Sequence, residues 1–149
     1  MRRWSMTLSL VTVRAVWYNL MAEHNETGRR GEDLATAFLL GKGYSILERN
    51  WKSGRKEIDV IAQDGRDIVF IEVKTRTDDT VSPAIDAVDA RKRQHILQAA
   101  EAYIRMTRLN LSPRFDIITI VGAAPNQQIE HIPDAWLPPL RSSRKTRSL

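Results

Sequence analysis

Four charged residues stand inside two apolar stretches of the sequence. Glu57 and Asp59 alternate with isoleucine and valine in EIDVIA, and Glu72 and Lys74 follow four apolar residues in IVFIEVKT. A charge in a half-buried strand is costly unless it is paired or bound to a metal. Each of these residues therefore needs a partner, and a shared cation is one candidate.

A hairpin brings the two stretches together. The sequence QDGR between them predicts a tight turn, because Asp-Gly supplies the positive φ values that such turns need. With Asp64 and Gly65 as the turn residues, Glu57 pairs with Glu72, and Asp59 becomes a diagonal neighbour of Glu72. All the charged residues then project from one face, since directly paired residues and residues two apart share a face. A one-residue slip would turn one strand over, so the arrangement requires an even loop.

Carboxylates this close to one another repel and need a cation. The chain has no cysteine, and an oxygen-only ligand set suits Mg²⁺ or Mn²⁺, which bind through one or two carboxylates and keep several waters. A lysine two residues after a ligand suits phosphate chemistry, where it orients or deprotonates a water or neutralises charge on phosphorus. The alternative is that Lys74 only forms an ion pair with Glu57 or Glu72 on a solvated sheet face.

The elements that position these residues form a mixed α/β domain. The apolar spacing predicts helices over 28–43 and 89–107, and strands over 44–51, 57–62, 67–75, 114–121 and 129–132. The main order is α-β-β-β-α-β, with the last strand as a short edge. A hairpin and a helical crossover together indicate a mixed central sheet flanked by helices.

The positive charge of the chain is concentrated at its ends. The formal charge is +5, but residues 21–140 hold 16 basic and 18 acidic residues and are net −2. We expect this segment to be the single domain. Residues 1–20 are expected to be a disordered extension or an over-extended gene start, and residues 141–149 a flexible basic tail, either a solvated end or a phosphate-binding arm. No stretch reaches the roughly 20 apolar residues of a membrane span, so we expect a cytoplasmic protein without a membrane partner.

The acidic motifs resemble those of the PD-(D/E)XK nuclease superfamily, whose fold is a restriction-endonuclease-like αβββαβ core. Asp59 matches the aspartate of its second strand, and Glu72-Val73-Lys74 matches the E-x-K of its third. More narrowly, the chain is similar to the bacterial YraN-like family, which is related to Holliday-junction resolvases. The segments that match are Gly31-Glu32-x-x-Ala35, Glu57-Ile58-Asp59-Val60-Ile61, Phe70-Ile71-Glu72-Val73-Lys74-Thr75-Arg76 and Arg114-Phe115-Asp116.

The resemblance implies a metal-dependent endonuclease that hydrolyses phosphodiester bonds in DNA, with branched DNA as one substrate. Asp59 and Glu72 would hold Mg²⁺ or Mn²⁺, Lys74 would position or activate the water, and Glu32 would assist from the first helix as a further catalytic residue. Resolvase-like relatives also imply a homodimer. The competing hypothesis is a nucleic-acid-binding or protein-interaction module on the same fold with little or no catalysis.

Basic residues flank the acidic motifs and are candidates to bind a phosphate backbone. They are Arg55, Lys56, Arg76, Arg91, Lys92 and Arg93. The run 91–93 fits a solvated helix face equally well.

Two features depart from the family patterns. Lys56 stands where the YraN-like family usually has glycine, and Gln98 and Tyr103 are too far apart for the Q-x-x-x-Y element of RecB-type nucleases. Asp116 is expected to be structural, paired with Arg114 or with a helix residue.

Overall fold

The computed structural model describes residues 10–76 and 88–138. The predicted basic tail, the loop that contains Pro83 and residues 1–9 lie outside these described residues. The elements are α1 (Leu10–Gly41), β1 (Ser45–Ser53), β2 (Lys56–Asp64), β3 (Asp67–Arg76), α2 (Ala90–Thr107), β4 (Ser112–Val121) and β5 (Gln128–Ile132). The predicted α/β class and element order are confirmed.

The five strands form one mixed sheet in the order β1-β2-β3-β4-β5. β3 and β4 are parallel and the other neighbours are antiparallel, because α2 carries the chain from the end of β3 back to the start of β4. One buried cluster, which includes Phe70, Phe115 and Tyr103, packs between the sheet and α2. A second cluster, which includes Leu39 and Val69, packs between the sheet and α1.

Helix α1 begins at Leu10, well before the start predicted at residue 28. The sequence contains no glycine or proline between residues 10 and 27, so nothing in this stretch breaks a helix. The backbone of residues 10–20, which we assigned to an extension, is therefore the first part of α1. Within the described residues, no helix is both long enough and apolar enough to cross a membrane.

The hairpin between β2 and β3 is shifted by two residues from the predicted register. Asp64 pairs with Asp67, which leaves Gly65 and the residue after it as the turn. Gly65 has a φ of +59° at the first central position, where a type II′ turn favours glycine. The pairing predicted between Glu57 and Glu72 is therefore wrong. An even shift, however, does not exchange the faces of a strand.

Arg114 on β4 holds this turn in place. Its Nη1 lies 3.0 Å from Oδ2 of Asp64 and 3.0 Å from Oδ2 of Asp67, the two residues that close the hairpin. Its Nε and Nη2 donate to the two carboxylate oxygens of Asp116 at 3.0 and 3.1 Å. The expected pairing of Asp116 with Arg114 is thus confirmed, and this ion network joins the hairpin to β4.

Candidate functional site

Glu57 and Asp59 of β2 and Glu72 and Lys74 of β3 line one pocket of about 340 Å³. Helix α1 contributes a further carboxylate and helix α2 a further amine. We define the acid pocket by its charged residues, which are Glu32, Glu57, Asp59, Glu72, Lys74 and Lys92. The structure therefore brings together the four residues singled out from the strands and the glutamate implied by the resemblance.

Glu72 is the buried centre of the acid pocket, with a relative exposure of only 2%. Its Oε1 lies 2.8 Å from Nζ of Lys74 and its Oε2 lies 3.2 Å from Nζ of Lys92. The second contact is an ion pair without hydrogen-bond geometry, so Oε2 has no hydrogen-bond partner. A buried carboxylate oxygen in this condition is costly, and it is a ready ligand for a cation.

Asp59 lies beside Glu72 and is held by the backbone of β3. Its Oδ2 accepts a hydrogen bond of 2.8 Å from the N–H of Val73. Burial and the negative charge of Glu72 raise the pKa of Asp59 to about 7, although the Val73 hydrogen bond and the charge of Lys92 oppose this shift. The negative charges of Asp59 and Glu72 therefore repel each other, and a proton or a cation bound between them relieves this repulsion.

The sheet opens at Asp59. The paired positions of β2 and β3 end at Val60 and Ile71, so Asp59 is the first residue beyond them. Ile58 packs in the cluster beneath α2 and Val60 in the cluster beneath α1, although residues two apart normally share a face. At this interruption, the Asp59 side chain bonds to the Val73 N–H of β3 and lines the acid pocket.

Glu32 reaches the pocket because α1 lies close to β3. A Cβ added at Gly31 would lie 2.2 Å from Oγ1 of Thr75, so only glycine permits this approach. The side-chain amide of Asn50 donates a 2.8 Å hydrogen bond to Oε2 of Glu32. Sequence reasoning missed Asn50, and its only signal there was a turn-forming residue in the middle of a strand.

The basic run at the start of α2 divides among three environments. Arg91 is exposed and Lys92 points to the acid pocket. Arg93 donates from Nε to the carbonyl of Val88 at 2.9 Å and lies over the ring of Trp136 at 5.7 Å. The three side chains point in different directions, because consecutive helical residues are about 100° apart. Their contact with nucleic acid stays a prediction.

The other basic candidates lie at strand ends. Arg55 is exposed in the β1–β2 turn, Lys56 is half-buried at the start of β2, and Arg76 is half-buried at the end of β3. Their contact with nucleic acid stays a prediction.

The donor set of the acid pocket fits a hard divalent cation. Among residues 10–76 and 88–138, no three acidic or imidazole side chains converge closely enough to form a complete protein cage for a metal. Mg²⁺ does not need one, since it keeps several waters and is usually bound through one or two carboxylates. Asp59 and Glu72 supply such a pair, and Oε2 of Glu72 is buried without a hydrogen bond.

The family model described as "Uncharacterised protein family UPF0102" matches residues 31–120. The chain belongs to the UPF0102 family. A UPF0102 protein of Phocaeicola vulgatus is 46% identical over 120 residues, covering 80% of this chain and 99% of the relative. One of Porphyromonas gingivalis is 44% identical over 130 residues, covering 86% of this chain and 95% of the relative. The similarity to the YraN-like family is thus confirmed, and the six charged residues that define the acid pocket lie inside the UPF0102 match.

Proposed function

We propose that this UPF0102 protein is a divalent-metal-dependent endonuclease that hydrolyses phosphodiester bonds in DNA. The observation that carries the proposal is the buried carboxylate of Glu72, whose Oε2 lacks a hydrogen bond. Asp59 lines the same pocket, and Lys74 and Lys92 each approach one oxygen of Glu72. An ion pair on a solvated sheet face would not bury the carboxylate or leave one of its oxygens unsatisfied.

Asp59 and Glu72 would hold the Mg²⁺ or Mn²⁺. When bound, the ion supplies Lewis acidity toward a phosphate oxygen and makes a water more acidic. The hydrogen bond from Val73 fixes the orientation of the Asp59 carboxylate before the ion binds. Asp59 therefore loses little conformational freedom when it binds the ion.

The two lysines supply positive charge for the phosphate. Lys74 and Lys92 approach opposite oxygens of Glu72, and each side chain is about one-third exposed. A phosphate that enters the pocket therefore meets two ammonium groups within reach. Lys74 orients the attacking water or neutralises charge that develops on phosphorus, and Glu32, oriented by Asn50, accepts a hydrogen bond or a proton from that water.

One observation favours the competing hypothesis of a binding module. Lys74 and Lys92 each form an ion pair with Glu72, and two ammonium groups in one pocket can hold a phosphate without cutting it. The two functions differ in a single measurable step, which is strand cleavage.

Cleavage of branched, nicked and single-stranded DNA in Mg²⁺ or Mn²⁺ tests the proposal. Asp59→Ala and Lys74→Ala should each lower the rate at least a hundredfold, whereas Glu130→Gln, on the exposed edge strand β5, should match the wild type. Mn²⁺ should also raise the Tm of the wild type but not of Asp59→Ala, because only the folded pocket binds the ion. Absence of cleavage by the wild type, or equal cleavage by the pocket variants, would exclude the nuclease; DNA binding without cleavage would support the binding module.

A DNA substrate makes the cytoplasm the expected compartment, and the resemblance to resolvases makes a homodimer the expected assembly. Light scattering of the full chain with and without DNA tests the assembly.

A further inference from the structure

A second groove continues from the acid pocket. It has a volume of about 470 Å³ and lies between α1, the end of β3 and the loop that joins β4 to β5. Thr27 and Thr75 contribute to the walls of both cavities. The two cavities are therefore neighbours, and we call the second one the side groove.

The lining of the side groove combines small apolar side chains with polar groups. Leu34, Ala123 and Ala124 supply the apolar surface. The polar atoms come from Arg30, Asp33, Gln127 and the two threonines. A nucleoside has matching chemistry, since its base has flat apolar faces and its edges and sugar carry hydrogen-bonding atoms. The volume lies within the roughly 300–1,000 Å³ of pockets that enclose one small molecule, and a stack of base pairs does not fit.

The walls of the side groove are fixed by backbone contacts. The N–H of Gly122 donates to the carbonyl of Arg76 at 2.9 Å, and the N–H of Asn126 donates to the carbonyl of Ala123 at 3.0 Å. The opposite wall is fixed by the close approach of Gly31 on α1 to Thr75. A preformed groove lowers the entropy lost when a ligand binds.

We propose that the side groove binds one unpaired nucleotide next to the phosphate that occupies the acid pocket. The proposal rests on the nuclease function proposed above, and it adds a subsite that requires a single-stranded nucleotide beside the cleaved bond. An uninterrupted duplex keeps its bases stacked and leaves the groove empty, so DNA with an unpaired end is bound more tightly.

Ala123→Phe tests the subsite, because the new ring fills the groove while the exposed position of Ala123 spares the core. Asn110→Phe is the matched control, since Asn110 is also exposed and lies just before β4, at the end of that strand far from the side groove. Binding is measured with Ca²⁺ in place of Mg²⁺, using a duplex with a short overhang that carries 2-aminopurine and a blunt duplex of the same sequence.

We expect Ala123→Phe to bind the overhang at least tenfold more weakly than Asn110→Phe does and to lose the 2-aminopurine fluorescence change, with blunt-duplex binding equal in the two variants. The subsite would be overturned if both variants bind the overhang with equal affinity, or if Ala123→Phe loses equal affinity for both DNAs. It would also be overturned if the wild type does not bind.

Cleavage in Mg²⁺ separates the two proposals. Overhang binding that depends on Ala123 without any cleavage keeps the subsite and rejects the nuclease, and equal cleavage by both variants rejects the subsite alone.

Discussion

The side-chain amide of Asn50 is hydrogen-bonded to the carboxylate of Glu32 at 2.8 Å, which joins β1 to α1 at the acid pocket. Asn50 also has a φ of +50°, in the left-handed region that asparagine tolerates better than most residues with a Cβ. It lies between the pairs that join β1 to β2 at Val60 and Ile58, where the alternation of faces is interrupted. One residue therefore bends the strand and orients a carboxylate of the site.

The two roles of Asn50 are separable by substitution. Asn50→Gly keeps the left-handed conformation and removes only the amide, whereas Asn50→Ala removes the amide and adds a backbone cost of about 1–2 kcal/mol. We expect both variants to lose cleavage to the same extent, roughly tenfold, while Asn50→Ala alone shows the larger drop in the free energy of urea unfolding. Wild-type cleavage by Asn50→Gly would show that the orientation of Glu32 does not depend on the amide.

The sequence was sufficient to predict the strands and to single out the charged residues that β2 and β3 bring into the acid pocket, but not the register. Charges inside apolar strands are a local signal, and Asp59, Glu72 and Lys74 were recognisable from it. In the observed turn, Gly65 takes the first central position, and Arg114, 50 residues from Asp64 along the chain, binds both residues that close the hairpin. Local turn chemistry carries no information about such a distant contact, and the error left the site intact only because the shift was even.

Lys92 illustrates the same limit. In the sequence it was one of three consecutive basic residues, and only the packing of α2 on the sheet directs it to Glu72.

We expect Lys92→Gln to lower the cleavage rate roughly tenfold or more, because a phosphate loses one of two ammonium groups. The control Arg91→Gln also removes one positive charge, but at an exposed neighbouring position. It should change only the salt-dependent part of DNA affinity. Equal effects of the two substitutions on the cleavage rate at saturating DNA would contradict a specific role for Lys92.

Gly31 and Thr75 should show strong energetic coupling. Gly31→Ala places a methyl group 2.2 Å from Oγ1 of Thr75, so we expect it to lower the free energy of unfolding by about 1–3 kcal/mol as overpacking does. Thr75→Ala removes that oxygen, and the next contacts of the new methyl group lie at 3.6 Å, an ordinary separation. In a double-mutant cycle measured by urea unfolding, Gly31→Ala should then cost little in the Thr75→Ala background. Additive effects would show that Thr75 does not limit the approach of α1.

Asp116 should govern the acid sensitivity of the fold. It is fully buried and accepts hydrogen bonds from Arg114, from Nε2 of His131 and from the N–H of Asp134. Burial alone would raise the pKa of Asp116, but the hydrogen bonds from His131, Arg114 and Asp134 together hold it below its ordinary value. The Nδ1 of His131 lies 2.9 Å from the ammonium of Lys42, which can only donate, so Nε2 carries the proton given to Asp116.

A carboxylate whose folded pKa is depressed stabilises the protein above its unfolded pKa, and this stability is lost as the pH falls through the folded value. Asp116 in the unfolded chain titrates near pH 3.9, so the loss should occur below about pH 4. Asp116→Asn should reduce the free energy of unfolding at pH 7 by about 1.5–3 kcal/mol, the usual worth of a hydrogen bond to a charged group. Arg114 keeps Asp64 and Asp67 as partners but loses the buried carboxylate, and the variant should flatten the decline in acid. The control Asp33→Asn removes an exposed carboxylate paired with Arg49 and should cost about 1 kcal/mol or less. Urea unfolding of the three proteins between pH 3 and pH 7 measures both effects, and an acid decline in Asp116→Asn as steep as in the wild type would assign the acid sensitivity to other carboxylates.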